Sequence, residues 1–102
     1  MATPVNIRTG VRDDGSAVLN VSGELDMSNV ESFNTAIADA MAPASRDGGV
    51  LTIDLTGVEY VDSAAIEVLF GHASRIRLIV NSILMPVLKI SGLTNVTSVE
   101  AG

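Results

Sequence analysis

Ser63 and His72 are the residue types from which a nucleophile and its base could be made. Nine residues apart on one predicted helix, they would be separated by about 13 Å of axial rise. Proton transfer needs roughly 3 Å, so they form no dyad. His72 reads instead as a partly exposed helix residue. Four carboxylates, Glu24, Asp26, Asp54 and Asp62, fall near predicted strand ends, where open α/β sheets place their sites. Paired carboxylates can do acid–base work or hold Mg²⁺. They can equally be solvated turn and helix-start residues. Alternation along its strand favours that second reading for Asp54, while Asp26 and Asp62 stay open.

Asp62-Ser63 is the pair with most chemical potential. A serine in the first turn of a helix usually accepts a hydrogen bond from a backbone N–H as a cap. The same position suits a phosphorylated serine, because free N–H groups and the positive end of the helix dipole stabilise the added charge. A phosphate there would put about two negative charges beside Asp62 and switch a binding face without reshaping the fold.

Composition closes most other routes. The chain has 102 residues, 47% of them hydrophobic and 18% charged, which fits one folded domain over 1–102 with a core of about 5–99. It has no Cys and a single His, so disulfides, thiolate chemistry and cysteine- or histidine-rich metal centres are excluded. A net charge of −6 makes nucleic acid a poor partner and opposes an anionic membrane surface. One Tyr and two Phe leave little for base stacking. Gly48-Gly49 lacks the Lys and Ser/Thr of a phosphate loop, and no dinucleotide fingerprint occurs. No catalytic, metal or cofactor-binding residue emerges.

The N-terminus has no signal-peptide pattern. The greasiest stretch, Leu78 to Leu88, is broken by Asn81, Ser82 and Pro86 and is far short of the roughly 20 residues of a membrane span. The expectation is a cytoplasmic protein with no direct membrane insertion.

The positioning elements follow from pattern. Val5 to Val11 and Ala17 to Val21 read as a hairpin around Asp13-Asp14-Gly15-Ser16, with Leu19 and Val21 on one face. Gly23-Glu24-Leu25-Asp26 breaks the second strand. Ser28 and Glu31 have capping-box spacing, opening a helix with Val30, Phe33, Ile37 and Met41 as its buried stripe and a stop at Pro43. Arg46 to Gly49 is a loop. Val50 to Leu55 is a central strand, turned at Thr56-Gly57, with Tyr60-Val61 as a short extended piece. Asp62-Ser63 opens a helix buried through Ile66, Leu69, Phe70 and Ala73. Leu78 to Val80 is a core strand, Pro86 to Ser91 a short helix capped by Gly92, and Val96 to Val99 an edge strand. The order β-β-α-β-α-β-α-β predicts an α/β fold: a mostly parallel sheet of four to five strands, an N-terminal hairpin and about three crossover helices.

Gly23-Glu24-Leu25-Asp26, Leu51-Thr52-Ile53-Asp54-Leu55, Tyr60-Val61-Asp62-Ser63-Ala64-Ala65-Ile66 and Ile90-Ser91-Gly92-Leu93 together resemble the STAS domain, most closely that of the anti-sigma factor antagonists. The domain is shared with the cytoplasmic parts of sulfate transporters. The similarity runs in order over roughly residues 5 to 99. G-E-L-D followed about 36 residues later by V-D-S is its most specific combination.

The resemblance implies a partner-switching regulator, not an enzyme. Ser63 matches the serine phosphorylated by an anti-sigma factor that is itself an ATP-dependent serine kinase. The unphosphorylated antagonist binds the anti-sigma factor and frees the sigma factor; the phosphorylated form lets go, and a PP2C-type phosphatase restores it. Asp26 matches the family's loop aspartate near that serine. Glu24, Asp26, Asp62, Ser63, Ala64 and Glu67 would make the partner face. The alternative is a STAS docking module of a transporter or stressosome-like assembly, with no phosphorylation.

Three departures stand out. The usual D-S-x-G-L is Asp62-Ser63-Ala64-Ala65-Ile66, and the methyl of Ala65 could hinder close docking of a kinase. The stretch from Ser63 to Gly92 is short for the family. The sequence ends soon after the last strand, where many members carry another helix; an uncovered sheet or stripe would invite a homo-oligomer.

Overall fold

The computed structural model describes residues 5–46 and 49–102; Asp47 and Gly48, within the expected loop, lie outside them. Five strands and three helices follow in the expected order: β1 (Asn6–Val11), β2 (Ala17–Leu25), α1 (Val30–Arg46), β3 (Leu51–Val61), α2 (Ser63–Gly71), β4 (Ile76–Val80), α3 (Met85–Ser91) and β5 (Ser98–Ala101). The sheet order is β1-β2-β3-β4-β5; β1 and β2 are antiparallel and every later pairing is parallel.

The register sorts the two faces. One row across the sheet is Leu19, Ile53, Leu78 and Val99, the first three fully buried. The next row is Arg8, Asn20, Asp54, Ile79 and Glu100, in which no residue is buried. Side chains of successive strand residues alternate between faces, so the apolar row meets the helices and the polar row meets solvent. Phe33, Ile37 and Met41 of α1 reach the core as their helical spacing predicts. Asp54 accepts hydrogen bonds from the amide (2.9 Å) and hydroxyl (2.7 Å) of Thr56, a local role on the polar face.

Two expected breaks are strand instead. Gly23 and Thr56-Gly57 sit inside β2 and β3, which pair as far as Leu25 with Val61. The glycines mark irregularity in the ladder: the register shifts between Asn20 and Ser22 and again between Gly23 and Glu24, and Gly23 takes φ of 100°. A Cβ on Gly57 would lie 2.8 Å from that of Ser22, so close strand approach requires glycine there. Beyond Ser22, where β1 stops pairing, and beyond Leu55, where β4 stops, β2 and β3 continue as a two-stranded arm.

Three helix boundaries also differ. The Ser28 hydroxyl bonds Asp26 rather than an amide of α1, so the Ser28–Glu31 capping box is not formed and α1 starts at Val30. The helix continues past Pro43 to Arg46; loss of one amide donor near its end does not stop it. In α2 the buried residues are Ala65 and Leu69, four apart, while Phe70 is exposed and Ala73 lies in a 3-10 turn beyond the helix. The nine-residue α2 ends too early for the longer stripe. The last strand is shifted two residues, to Ser98–Ala101. The short helix is as expected, with Pro86 in its first turn and Gly92 at φ 88° as C-cap.

Candidate functional site

The arm carries at its tip the β2–α1 loop and the start of α2. Its centre is Asp62. One carboxylate oxygen accepts the Ala65 amide at 3.0 Å and caps α2; the other accepts the Met27 amide at 3.0 Å and holds the loop. The Asp62 amide donates to Leu25 O at 3.1 Å, so the turn out of β3 is tied to the end of β2. One side chain thus joins two segments 35 residues apart in sequence.

The loop is braced from within. Asp26 Oδ1 accepts the Ser28 amide at 2.9 Å as well as the Ser28 hydroxyl. Asn29 Oδ1 accepts the Asp26 amide at 3.0 Å, and its Nδ2 donates to Glu24 O at 2.8 Å. This local network holds Asp26 beside the Asp62–Met27 link. The Ser28 hydroxyl, and after it the Ser28 amide, keeps the Asp26 carboxyl below the ordinary aspartate value. A group lowered on folding contributes stability that is complete above its unfolded value and fades as pH falls through the folded one. Ser28→Ala should therefore raise the Asp26 titration midpoint, read by carboxyl-carbon NMR; an unchanged midpoint would show that Ser28 does not set it.

Because Asp62 fills the capping role, Ser63 is left free. It is exposed at the first position of α2, and its hydroxyl makes no hydrogen bond among the described residues. The amides of the first helical turn have no intrahelical acceptors, and of these Ala65 is taken. Ala64 is half-buried beside Ser63, and Glu67 is exposed one turn along, at i+4 from Ser63. Glu24 is half-buried on β2, with Tyr60 as its partner on β3. The six sequence-derived site residues are thus gathered at one end of the arm. Ala65 is fully buried under α2, so its methyl faces the core and cannot meet an approaching protein, contrary to the expected hindrance.

Asp54 and His72 do not join this group. Asp54 is on the polar sheet face in the row of Arg8. His72 ends α2, its Nε2 2.8 Å from Asn34 Oδ1, and so fastens α2 to α1. Among the described residues no group of three or more His, Asp or Glu is placed to hold a metal ion, and no helix is long and apolar enough to cross a membrane.

Sequence reasoning missed Asn29 and Met27. Asn29 gave no signal, since its role depends on the loop's shape. Met27 was visible as an apolar residue within a polar loop, Asp26-Met27-Ser28-Asn29.

Comparison with known proteins agrees with this architecture. The chain is 31% identical over 77 residues to the anti-sigma-F factor antagonist RsfB of Mycobacterium tuberculosis, an alignment of 74% of this chain that spans 61% of that relative's length. Its fold superposes on the crystal structure of an anti-sigma factor antagonist from Mycobacterium paratuberculosis with a TM-score of 0.84, covering 97% of this chain and 87% of the other at 21% identity. SpoIIAA, an anti-sigma factor antagonist, in its unphosphorylated form superposes with a TM-score of 0.68 over 94% of this chain and 89% of its own at 18% identity. The model of the family described as Mlab, STAS domain, matches residues 9–80, which takes in the hairpin from Thr9 onward, the arm and the whole of the Asp62–Ser63 site: the chain belongs to the STAS domain family.

Proposed function

We propose that this protein is an anti-sigma factor antagonist that works by partner switching. Unphosphorylated, it binds a kinase-type anti-sigma factor through Glu24, Asp26, Asp62, Ser63, Ala64 and Glu67; phosphorylation of Ser63 releases it. The observation that carries the reading is the free, exposed hydroxyl of Ser63 at a helix start whose cap is supplied by its neighbour Asp62. A hydroxyl held as the cap would have one lone pair engaged and its rotation restrained. Here Ser63 Oγ can attack the γ-phosphorus of ATP directly. The Oγ–P bond forms, the bond to the bridging oxygen breaks, ADP leaves, and the hydroxyl proton passes to a base on the kinase. The likeness to an anti-sigma-F factor antagonist supports the choice of partner. A PP2C-type phosphatase would reverse the step, and the whole exchange would be cytoplasmic.

The test is intact mass and phosphopeptide mapping after incubation with ATP and each anti-sigma-type kinase of the source organism. One phosphate, on Ser63 and lost in Ser63→Ala, is the expected result. No transfer from any of them to the folded protein would instead assign the same surface to phosphorylation-independent docking within a larger assembly.

A further inference from the structure

The arm bears two apolar side chains that the fold leaves in water. Met27, at the tip of the β2–α1 loop, is 80% exposed, and Tyr60, two residues before Asp62, is 49% exposed. Met27 is not loosely placed: its amide is held by Asp62 at 3.0 Å, in the loop braced by Asn29. A solvated methionine on a fixed backbone, at the same end of the arm as an exposed aromatic, gives an adaptable apolar contact.

What surrounds them is uniformly acidic. Segments 20–34 and 56–72, which build the arm, its loop and α2, contain Glu24, Asp26, Glu31, Glu59, Asp62 and Glu67 and no Lys or Arg. Of the six cations, Arg8 and Arg12 belong to the hairpin, Arg46 to the end of α1, Arg75 to the turn before β4, Arg77 to β4 and Lys89 to α3. No described basic side chain belongs to the segments that would have to neutralise this end from within.

Resting on the partner-switching reading, we propose that Met27 and Tyr60 are the apolar anchors of the Ser63 face, received by a protein pocket rimmed with Lys and Arg. The charge supplies orientation and rate; the two buried side chains supply the holding energy. A phosphate on Ser63 would fall inside that rim, against the apolar floor of the pocket, where it loses its water without reaching the rim cations; this accounts for release without a change of fold.

The test compares wild type, Met27→Ser, Tyr60→Thr and Ile90→Ser by titration calorimetry against the kinase-type anti-sigma factor that phosphorylates Ser63, at low and high salt. Ile90 is 88% exposed on α3, an element outside the arm, and serves as the control. Met27 lies in a loop and threonine suits a strand, so both variants should fold, as far-UV circular dichroism will verify. The expected result is at least a tenfold loss for Met27→Ser and for Tyr60→Thr, none for Ile90→Ser, and weaker wild-type binding at high salt. Wild-type binding with Met27→Ser and Tyr60→Thr within twofold of it would overturn the anchors and leave the partner-switching reading intact. An equal loss in Ile90→Ser would also overturn them, by removing the contact from the arm. If wild type does not bind that kinase at either salt concentration, both readings fall together.

Discussion

Ser63→Asp is expected to weaken binding to the cognate anti-sigma factor by at least about 30-fold, some 2 kcal/mol, while leaving the fold intact. The two effects separate because the new carboxylate meets two different environments. In the free protein it sits at the first position of α2, where a negative charge faces the positive end of the helix dipole and is stabilised by about 0.3–1 kcal/mol. In the complex it is enclosed with Met27 and Tyr60 against the apolar floor of the pocket, inside the basic rim, and must give up its water without a cation to replace it. Affinity should fall as the melting temperature stays level or rises slightly. Equal affinity of Ser63→Asp and wild type would sink the switch, whatever the phosphorylation assay gives.

Asp62→Ala should have the largest effect on stability. It removes the cap of α2, worth about 1 kcal/mol, and a charge-assisted bond to the Met27 amide worth a further 1–2 kcal/mol. The sum of about 2–3 kcal/mol corresponds to a drop of roughly 10–20 °C in melting temperature for a domain of this size. Asp62→Asn keeps one acceptor oxygen and can satisfy one of the two amides, so about half the loss should remain. Hydrogen exchange distinguishes the bonds. The amides of Ala65 and Met27 should both lose protection in the alanine variant. Should only Ala65 respond, Asp62 caps the helix but does not hold the loop.

The order of elements was legible because each was announced by its own periodicity. Phe33, Ile37 and Met41 repeat at helical spacing, Leu19 and Val21 alternate, and Pro86 and Gly92 bracket a short helix. The arm was not legible. Gly23 and Gly57 look like turns in one dimension, and only the neighbouring strand reveals that one lies opposite an extra residue of β3 and the other is a point of close approach. The same limit governed the site. Asp62-Ser63 was visible as a helix start, but which of the two would cap it was not, since either side chain can accept the bond. Geometry chose the aspartate and left the serine exposed. Ala65 was misread for a related reason. A residue in the first helical turn belongs to the surface or to the core according to the helix's rotation, and its packing turned that methyl inward.

The sheet is laid down in chain order, each new strand joining the outer edge of those before it. No later strand has to be inserted between earlier ones. During synthesis at about 5–20 residues per second the fold can therefore grow from the hairpin outward. Every residue of the Ser63 face lies before β4, so this end of the molecule has all its parts once α2 has emerged from the ribosome.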